Sequence, residues 1–580
     1  MFSRKKKYRY HEIDPDEIFL DSHNLPEFNR SQFEGRLEKP IAKHVLTIAG
    51  ALFVGVLVLF SGKLAVLQID EGEMYRARAE NNHLHRTIIF TERGIIKDKN
   101  GVELAWNTPF DATLGKPFAE RNYILEDGFA HLLGYIHYPQ KDRAGFYYEE
   151  TIQGGEGIER SYDEILSGEN GVKLVETDVS GDIRAQNILE PPEDGDNLTL
   201  TIDARVQAKL YSSIKSLAES VGFSGGAGVL MDVETGEVLA LTSFPEYDSN
   251  IISSGKDPVA LKKYQADARA PFLNRTVSGL YTPGSIIKPF IALGALVEGV
   301  VDENTKILST GSISIPNPYF PDKPSIFRDW KAHGWTNMRE ALAVSSDVYF
   351  YEIGGGYQNQ RGLGIEKINE YTRLFGFGGL SGIDLLEEVS GVIPTPEWKQ
   401  EIFNDVWRLG DTYNTAIGQY GFQITPIQAV RAVSSVANDG ILVAPHVVMA
   451  IEENNRDALE KGKNLVIVSG SGEKRVPIAT DFFQIVREGM REAVLHGTGQ
   501  GLFLSSVSVA AKTGTAEVGI SKKRVNSWII GFFPYENPRF AFAIVMEHGP
   551  RENLVGALYV ARELLEWMSI KTPEYLKEDI

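Results

Sequence analysis

The chain has 580 residues, too many for one ordinary domain, and its 43% hydrophobic and 24% charged residues are the composition of a packed globular protein. A formal net charge of −19 disfavours nucleic-acid binding, which usually needs a basic face. The absence of cysteine excludes disulfides, a cysteine nucleophile and thiolate zinc sites, so that serine, threonine, lysine and carboxylate chemistry remains.

A long apolar segment near the N-terminus predicts a membrane span. No formal charge occurs from His44 to Gly62, and apolar character resumes after Lys63. Because a hydrocarbon core of about 30 Å needs about 20 apolar residues in a helix, the segment is long enough to span it. A cleaved signal peptide is the rival interpretation, but a mixed-charge stretch of 44 residues precedes the run and no small-residue cleavage site follows it.

The two sides of this span differ in charge, which predicts its orientation. Basic residues, including the run from Arg4 to Arg9, precede it, and acidic residues from Asp70 to Glu73 follow. By the positive-inside rule, the N-terminus is cytoplasmic. We predict a cytoplasmic tail over residues 1–44, a single transmembrane helix over residues 45–67 and an extracytoplasmic or periplasmic remainder, anchored in the cytoplasmic (inner) membrane.

Two further domains are predicted after the span. Residues 68–197 show short strand and turn patterns, with a strong hairpin signal at Asn100-Gly101, and predict a mainly β domain that we call the pedestal. A loop rich in acidic residues and proline, residues 190–196, is a plausible linker at its end. Residues 198–580 would then form the second domain.

The second domain is predicted to have an α/β fold of the α+β kind, with an antiparallel sheet flanked by helices. Apolar runs around short turns indicate hairpins over residues 226–244 and 528–549. Helical patterns cover residues 206–219 and 557–568 and fill the long middle. Strands at both ends of the domain indicate a sheet assembled from distant parts of the chain.

Ser285 and Lys288 form the first motif that carries chemistry. They follow a Pro283-Gly284 turn and open an apolar run, which predicts a buried helix with Ser285 near its N-terminus. Residues three positions apart share a helical face, so the Lys288 amine can reach the Ser285 hydroxyl and accept its proton. The S-x-x-K spacing alone is a weak signal, because it recurs at Ser3/Lys6, Ser212/Lys215, Ser253/Lys256 and Ser471/Lys474.

Ser345-Ser346-Asp347 is the second motif, and it follows a helical pattern over residues 338–344. Taken alone, such a tripeptide is more often a helix N-cap than a catalytic element.

The third motif, Lys512-Thr513-Gly514-Thr515, lies in a run that alternates like an edge strand. Gly514 lets a ligand backbone approach, Lys512 supplies a cation, and the two threonine hydroxyls can hold a carboxylate. In isolation the same residues also fit a strand end with a solvated lysine.

The three motifs together, in this order and setting, are the combination found in penicillin-binding proteins and class A β-lactamases. The chain resembles the class B penicillin-binding proteins over nearly everything after the span. The other segments that carry the resemblance are Arg93-Gly94, Asp98 to Gly101, Gly157 to Glu159 with Tyr162, Leu200 to Asp203, Asn274-Arg275, Tyr281 to Gly284 and Ile417 to Gln419.

Three features resemble the elongation type within that family. They are Phe327 to Trp330, Gly410 to Asn414, and Asp347 at a position where division enzymes usually carry asparagine. The resemblance implies a penicillin-binding, β-lactamase-like transpeptidase domain on a pedestal, acting in cell-wall elongation and cell shape.

The resemblance also implies the role of each motif residue in a serine D,D-transpeptidase. Ser285 would attack the D-Ala-D-Ala carbonyl of a stem peptide, with Lys288 as general base. Ser345 would relay a proton to the leaving D-alanine, and Lys512 would hold that network in its charge state. Ionised aspartate only accepts hydrogen bonds, so Asp347 is expected to accept from Lys288 and position its amine. The terminal carboxylate of the substrate would be bound at Thr513, Gly514 and Thr515. The backbone N–H groups of Ser285 and Thr515 would bind the oxyanion.

No cofactor and no metal are expected. Asp329 and His333 are metal-ligand types, but without cysteine or an evident third ligand a hydrogen-bonded loop is the favoured interpretation.

Two other functions remain open for this sequence. A membrane-anchored D,D-carboxypeptidase or β-lactamase shares the acylation chemistry, although a free hydrolase does not need the pedestal. A non-catalytic β-lactam-binding sensor or scaffold is the second, and the intact Ser285, Lys288 and Lys512 count against it.

The partners follow from the resemblance. The substrates would be stem peptides on glycan derived from lipid-linked precursor, with β-lactams as inhibitors. The absence of a glycosyltransferase segment implies a RodA-type membrane glycosyltransferase and a rod-complex scaffold as partners.

Overall fold

The computed structural model describes residues 43–72, 84–108, 117–143, 147–177, 183–317, 320, 322–454, 465–467, 473–519, 522–553 and 555–576. Nearly all of the predicted cytoplasmic tail lies outside these residues, as do Ser3, Lys6 and Ser471. The chain divides into two compact units, residues 1–85 with 176–184, and residues 86–175 with 185–580.

The apolar segment forms a helix in the first unit. Helix α1 (Lys43–Ala65) continues as a π-helical turn over Val66–Asp70. Among the described residues, this is the one helix that is long and apolar enough to cross a membrane, and its apolar stretch, Thr47–Ile69, is not buried by the rest of the protein. An apolar helix that no protein surface covers fits a single-pass membrane anchor.

The remaining described helices are α2 (Ala130–Leu133), α3 (Gly157–Ser161), α4 (Asp163–Ser167), α5 (Ala204–Val221), α6 (Ser249–Ser254), α7 (Pro258–Ala266), α8 (Lys288–Val297), α9 (Met338–Val344), α10 (Asp347–Gly355), α11 (Gly364–Leu374), α12 (Pro396–Phe403), α13 (Leu409–Ala416), α14 (Pro426–Ala437), α15 (Thr480–His496) and α16 (Ala557–Lys571). Short 3-10 turns cover Gly284–Ile287, Gln500–Leu502 and Pro573–Tyr575.

The described strands are β1 (Leu84–Ile89), β2 (Ile96–Lys97), β3 (Glu103–Thr108), β4 (Glu120–Tyr123), β5 (Ile136–His137), β6 (Gln140–Lys141), β7 (Tyr147–Glu149), β8 (Gln153–Gly154), β9 (Gly171–Thr177), β10 (Ile183–Glu190), β11 (Asn197–Leu200), β12 (Gly225–Asp232), β13 (Val238–Phe244), β14 (Ile307–Ser309), β15 (Ser312–Ile315), β16 (Ser325–Arg328), β17 (Gly334–Thr336), β18 (Ile441–Leu442), β19 (Val448–Glu452), β20 (Leu465–Ile467), β21 (Lys474–Arg475), β22 (Ala510–Val518), β23 (Arg524–Phe533) and β24 (Phe540–Pro550).

The central sheet of the second unit has the strand order β13-β12-β24-β23-β22, with antiparallel neighbours throughout. Both predicted hairpins are confirmed, and the sheet joins strands about 300 residues apart in the chain, as the sequence indicated. β22, which carries the third motif, is an edge strand.

Both faces of this sheet are covered, which explains why its strands are apolar at successive positions. Side chains alternate between faces along a strand. Ile529 belongs to the apolar cluster that includes residues of α5 and α16 on one face. Its neighbour Ile530 belongs to the larger core on the other face, where α14 lies. The predicted mixed fold, an antiparallel sheet flanked by helices, is confirmed.

A second sheet runs across the predicted pedestal boundary. Its order is β20-β19-β11-β2-β3-β4, so that strands near residue 450 extend a sheet begun before residue 125. β11 is parallel to β2 and antiparallel to β19. The hairpin turn at Asn100-Gly101 is confirmed, with Gly101 at φ 84° between the antiparallel β2 and β3.

The predicted linker, residues 190–196, is hydrogen-bonded to two earlier segments of the chain, near Glu92 and Glu169. Glu193 exchanges two backbone hydrogen bonds with Glu169, and the Gly195 amide donates to the Glu92 carbonyl at 3.0 Å. A side chain at Gly195 would overlap the Leu166 carbonyl, so the chain must pass there without one. The segment is therefore part of the packed unit.

Candidate active site

Ser285 lies in the 3-10 turn Gly284–Ile287, directly before α8. The serine side chain is partly exposed, whereas Lys288, at the start of α8, is fully buried. The predicted turn and buried helix are confirmed. A polar pair thus stands at the end of an apolar helix that is buried along almost its whole length.

Glycine contacts bring two other segments against this turn. A Cβ on Gly514 would lie 2.9 Å from the Pro283 carbonyl oxygen and 2.8 Å from an Ile286 methyl carbon. The Gly284 amide, at φ 57°, donates to the Gly418 carbonyl at 2.9 Å. Gly514 is therefore required where strand β22 meets the turn that carries Ser285, a reason that the sequence alone did not supply.

The second motif occupies the junction between two helices. α9 ends at Val344, and Ser345 adopts the left-handed conformation with φ 57°. Ser346 then caps α10, its side chain accepting from the Tyr349 amide. The N-cap interpretation is correct for Ser346, and Ser345 has a different set of partners.

Side chains from all three motifs meet at Ser345. Its hydroxyl lies 2.8 Å from the Lys512 Nζ and 3.4 Å from the Lys288 Nζ. Lys288 also donates to the Ser345 carbonyl at 2.9 Å and to the Asp347 carboxylate at 2.6 Å. We call Lys288, Ser345, Asp347 and Lys512 the lysine–serine cluster. Among the described residues, the hydrogen bonds of Lys288 go to Ser345 and Asp347 and none goes to Ser285.

The electrostatics of this cluster favour a neutral amine on Lys512. Complete burial and the neighbouring Lys288 cation lower the pKa of Lys512 well below its usual range. A neutral amine can accept a proton from the Ser345 hydroxyl, whereas an ammonium can only donate. The Lys288 ammonium also lies 5.3 Å from the centre of the Phe350 ring.

The threonines of the third motif lie on β22 beside this cluster. Thr515 is exposed and Thr513 is partly buried. The Thr513 hydroxyl donates to the Thr498 hydroxyl at 2.7 Å, and the Thr498 amide donates to the Ala343 carbonyl at 3.1 Å. Thr498 thus links α9 to the third motif. Sequence reasoning missed it, because nothing in its neighbourhood marks it as a site residue.

Asp329 and His333 form a buried pair, with the His333 Nε2 3.3 Å from an Asp329 carboxylate oxygen. The Asp329 carboxylate also accepts hydrogen bonds from the hydroxyls of Ser309 and Ser346 and from the backbone amides of Trp330 and Val348. Within the part of the chain that the structure describes, no group of three or more acidic or histidine side chains is arranged to hold a metal.

The other described S-x-x-K matches lie elsewhere. Lys215 pairs with Asp127, and the Ser212 hydroxyl donates to the Lys209 carbonyl. The Ser253 hydroxyl accepts from the Ile136 amide, and Lys256 pairs with Glu120. Of these three serine–lysine pairs, the structure brings only Ser285/Lys288 together with the second and third motifs.

Two family models match the chain. The penicillin binding protein transpeptidase domain matches residues 226–566, and the penicillin-binding protein dimerisation domain matches residues 115–200.

Individual proteins are similar over most of the chain. The peptidoglycan D,D-transpeptidase MrdA of Escherichia coli K12 is 30% identical over 533 residues, which cover 87% of this chain and 80% of that protein. PBP2 of Helicobacter pylori, solved in complex with MreC, is 27% identical with a TM-score of 0.68, covering 84% of this chain and 99% of that one. A chain of a peptidoglycan synthase complex described as coordinating polymerization and crosslinking is 26% identical with a TM-score of 0.68, covering 91% and 99%.

Proposed function

Because the chain belongs to the penicillin-binding protein transpeptidase family, we propose that it cross-links peptidoglycan as a serine D,D-transpeptidase of the elongation type. The substrate would be the D-Ala-D-Ala end of a stem peptide. The observation that carries the proposal is the convergence of the three motifs on Ser345, where two buried lysines share one hydroxyl.

Acylation begins at Ser285. Lys288 first passes its proton through the Ser345 hydroxyl to the neutral Lys512 amine, which lies 2.8 Å from that hydroxyl. The Ser285 oxygen then attacks the carbonyl carbon of the penultimate D-alanine while the Lys288 amine takes the hydroxyl proton. The negative charge on the carbonyl oxygen is stabilised by the backbone N–H groups of Ser285 and Thr515, each worth about 3 kcal/mol in comparable sites. The closeness of Gly284 to the Thr515 backbone supports this pairing, since a Cβ on Gly284 would lie 3.4 Å from the Thr515 nitrogen.

Collapse of the tetrahedral intermediate needs a proton on the leaving amine. Ser345 delivers it, and the proton is replaced from the lysines that bond to its hydroxyl. The C–N bond breaks, D-alanine leaves, and an ester to Ser285 remains. The amine of a second stem peptide then attacks this ester, gives a proton to the same network and forms the cross-link as Ser285 recovers its proton.

Three other residues bind or position. The hydroxyls of Thr513 and Thr515, on either side of Gly514, hold the terminal carboxylate of the substrate. Asp347 keeps the Lys288 amine in place, which its 2.6 Å contact supports.

The assignment is tested with the full-length chain in detergent, incubated with penicillin and followed by intact-mass spectrometry. One persistent adduct is expected, and Ser285→Ala should lose it. Ser212→Ala, a serine with the same spacing to a lysine, is the matched control and should keep it. An adduct that turns over quickly would indicate a hydrolase, and no adduct on the unchanged chain would favour the scaffold.

Transpeptidation itself needs a separate assay. The full-length chain should join a synthetic D-Ala-D-Ala stem peptide to an acceptor stem peptide and release one D-alanine per cross-link. Release of D-alanine without a cross-linked product would indicate a carboxypeptidase instead.

The topology and partners are part of the same proposal. The N-terminus would be cytoplasmic, with the pedestal (residues 68–197) and the transpeptidase domain (residues 198–580) outside the cytoplasmic membrane. The chain would act with a RodA-type glycosyltransferase and a rod-complex scaffold, supported by its likeness to PBP2 solved with MreC and to a chain of a synthase complex. Copurification of the full-length chain with such a polymerase tests the first partner, and failure to associate in detergent would contradict it.

A further inference from the structure

The buried carboxylate of Asp329 holds the loop that carries the second motif. Its Oδ2 accepts from the Ser346 hydroxyl at 2.8 Å and from the Val348 amide at 3.0 Å. These two donors flank Asp347 in the chain. The Asp329 side chain is itself fixed from the other side, because its Oδ2 also accepts from the Ser309 hydroxyl at 3.1 Å.

The loop needs to be held. Ser345 adopts a left-handed backbone conformation at φ 57°, which for a residue other than glycine costs of the order of 1–3 kcal/mol. Such a conformation persists where surrounding contacts determine it. The hydrogen bonds to Asp329 begin one residue after Ser345, so they restrain the strained position directly.

The contacts then lead into the lysine–serine cluster. Asp347, between the two residues that Asp329 binds, contacts the Lys288 Nζ at 2.6 Å. Lys288 also donates to the Ser345 carbonyl, whose direction depends on the same backbone. Asp329 touches none of the reacting groups, yet it sets the position of two residues that contact the general base.

We propose that Asp329 is a positioning residue of the transpeptidase, which holds Ser345 and Asp347 in the arrangement that orients Lys288. This inference rests on the proposed function of the cluster and adds to it a group outside the three motifs. Loss of the Asp329 carboxylate would leave the Ser346 hydroxyl and the Val348 amide without an acceptor in a buried place. The loop would relax, and the chemical step would slow while substrate affinity stays the same.

The test measures acylation of the full-length chain by a fluorescent penicillin under stopped flow, which separates the initial binding constant from the acylation rate. Asp329→Ala is expected to lower the acylation rate by about 100-fold, the effect of a displacement of about 1 Å at an active site, with binding unchanged. Asp329→Asn keeps one carbonyl oxygen that can accept from both donors, so most of the rate should be retained.

A matched control separates positioning from general loss of structure. Asp384 is also held by two backbone amides and a hydroxyl, those of Val447, Val448 and Tyr162, and none of these belongs to the cluster. Asp384→Ala should lower the melting temperature as Asp329→Ala does, but leave the acylation rate of the folded protein unchanged.

Each outcome decides the matter. Equal slowing by the two alanine variants, or an Asp329→Ala rate equal to that of the unchanged chain, would overturn the inference. If Asp329→Ala does not fold, Ser346→Ala removes one of the two bonds, and a slowed acylation with unchanged binding supports the inference while an unchanged rate overturns it. An unchanged chain that penicillin does not acylate would overturn the proposed function itself.

Discussion

Two buried charge clusters in this protein differ in how their charges are balanced. In the first, Glu159 is fully buried between Arg93 and Arg121, with contacts of 2.5 and 2.7 Å. Arg93 also pairs with the partly exposed Asp163 at 2.7 Å. Although burial raises the pKa of Glu159, the two arginines lower it below the usual value. Two cations thus face two carboxylates.

The lysine–serine cluster has no such balance. Lys288 and Lys512 are both fully buried, and Asp347 is a carboxylate partner of Lys288. The hydrogen bonds of Lys512 among the described residues go to the Ser345 hydroxyl and the Thr513 carbonyl. Burial and the neighbouring cation instead lower the pKa of Lys512 well below its usual range.

The contrast separates a structural cluster from a reactive one. A buried ion pair with its hydrogen bonds satisfied holds segments together and has no reason to exchange a proton. A buried cation without a full partner has a shifted pKa and is ready to transfer a proton, as expected of an active site. Removing an ionisable side chain should therefore affect stability and acylation differently in the two clusters.

The largest effect is expected for Lys512→Met. This variant removes the amine that bonds to Ser345, and acylation should slow by about 10²- to 10⁴-fold, the usual contribution of a proton-transfer group. The stability should not fall, because the variant removes a poorly compensated buried amine. Stopped-flow acylation and guanidinium unfolding of the same preparation measure both quantities.

The Lys512 amine also predicts a pH dependence. Its folded-state pKa is depressed, so the proton is released as pH rises through that lowered value, and acylation should rise with it. The folded chain binds fewer protons than the unfolded chain, so this group makes stability fall as pH falls from the usual lysine value toward the lowered one. A stability profile that does not change its slope in Lys512→Met would contradict the lowered pKa.

Glu159→Gln is the corresponding change in the balanced cluster. It leaves Arg93 and Arg121 without their buried partner, which should lower the free energy of unfolding by about 3 to 5 kcal/mol. Acylation by the folded protein should be unaffected. Guanidinium unfolding followed by tryptophan fluorescence gives the stability.

A half-exposed pair provides the control for this change. Glu574→Gln breaks the pair with Arg205, in which both side chains are about half exposed, and should cost no more than about 1 kcal/mol. Equal losses in Glu574→Gln and Glu159→Gln would show that burial of the cluster does not matter.

The sequence predicted much of this arrangement because the signals are local. Apolar runs around the turns Glu234 to Gly236 and Pro534 to Pro538 predicted both hairpins of the central sheet. A Pro-Gly turn before an apolar run predicted the position of Ser285, and the motif spacings singled out the two lysines.

What the sequence did not indicate is long-range. Strands β19 and β20 extend a sheet that begins more than 300 residues earlier, and no local pattern specifies that pairing. Thr498 contacts the Thr513 hydroxyl, and Asp329 accepts hydrogen bonds from Ser346 and Val348. Chain folding creates these contacts, and sequence spacing does not encode them. The second role of Gly514, contact with the turn of Ser285, is of the same kind.

Asp347→Asn is expected to have a smaller effect than Lys512→Met. Asparagine keeps an oxygen that can accept from Lys288 at the same position but removes the negative charge. The hydrogen bond to Lys288 would no longer be charge-assisted, which should cost about 1.4 kcal/mol. Acylation should therefore slow by about tenfold. Asp347→Ala, which removes the acceptor altogether, should slow it further, and equal rates for the two variants would show that the acceptor oxygen is irrelevant.

Glu246 is a partly buried carboxylate with no arginine ion pair among the described residues, and its pH dependence sharpens the comparison with Glu159. Its oxygens accept from the backbone amides of Gly128 and Ala130 at 2.5 and 3.0 Å. Burial, with a smaller contribution from Asp127, raises the pKa of Glu246 to about 8. The folded state therefore binds more protons than the unfolded state, and this group's stabilising contribution is lost as pH rises from its ordinary value toward about 8.

Glu246→Gln should remove that slope, so that the variant gains melting temperature relative to the unchanged chain between pH 5 and about 8. The pKa of Glu159 is shifted in the opposite direction, below its usual value. Its contribution to stability is therefore constant over that range and is lost only at lower pH. Melting temperatures of the two glutamine variants across this range give the comparison directly. A gain that does not grow with pH in Glu246→Gln would mean that two backbone amides compensate burial as well as two arginines do.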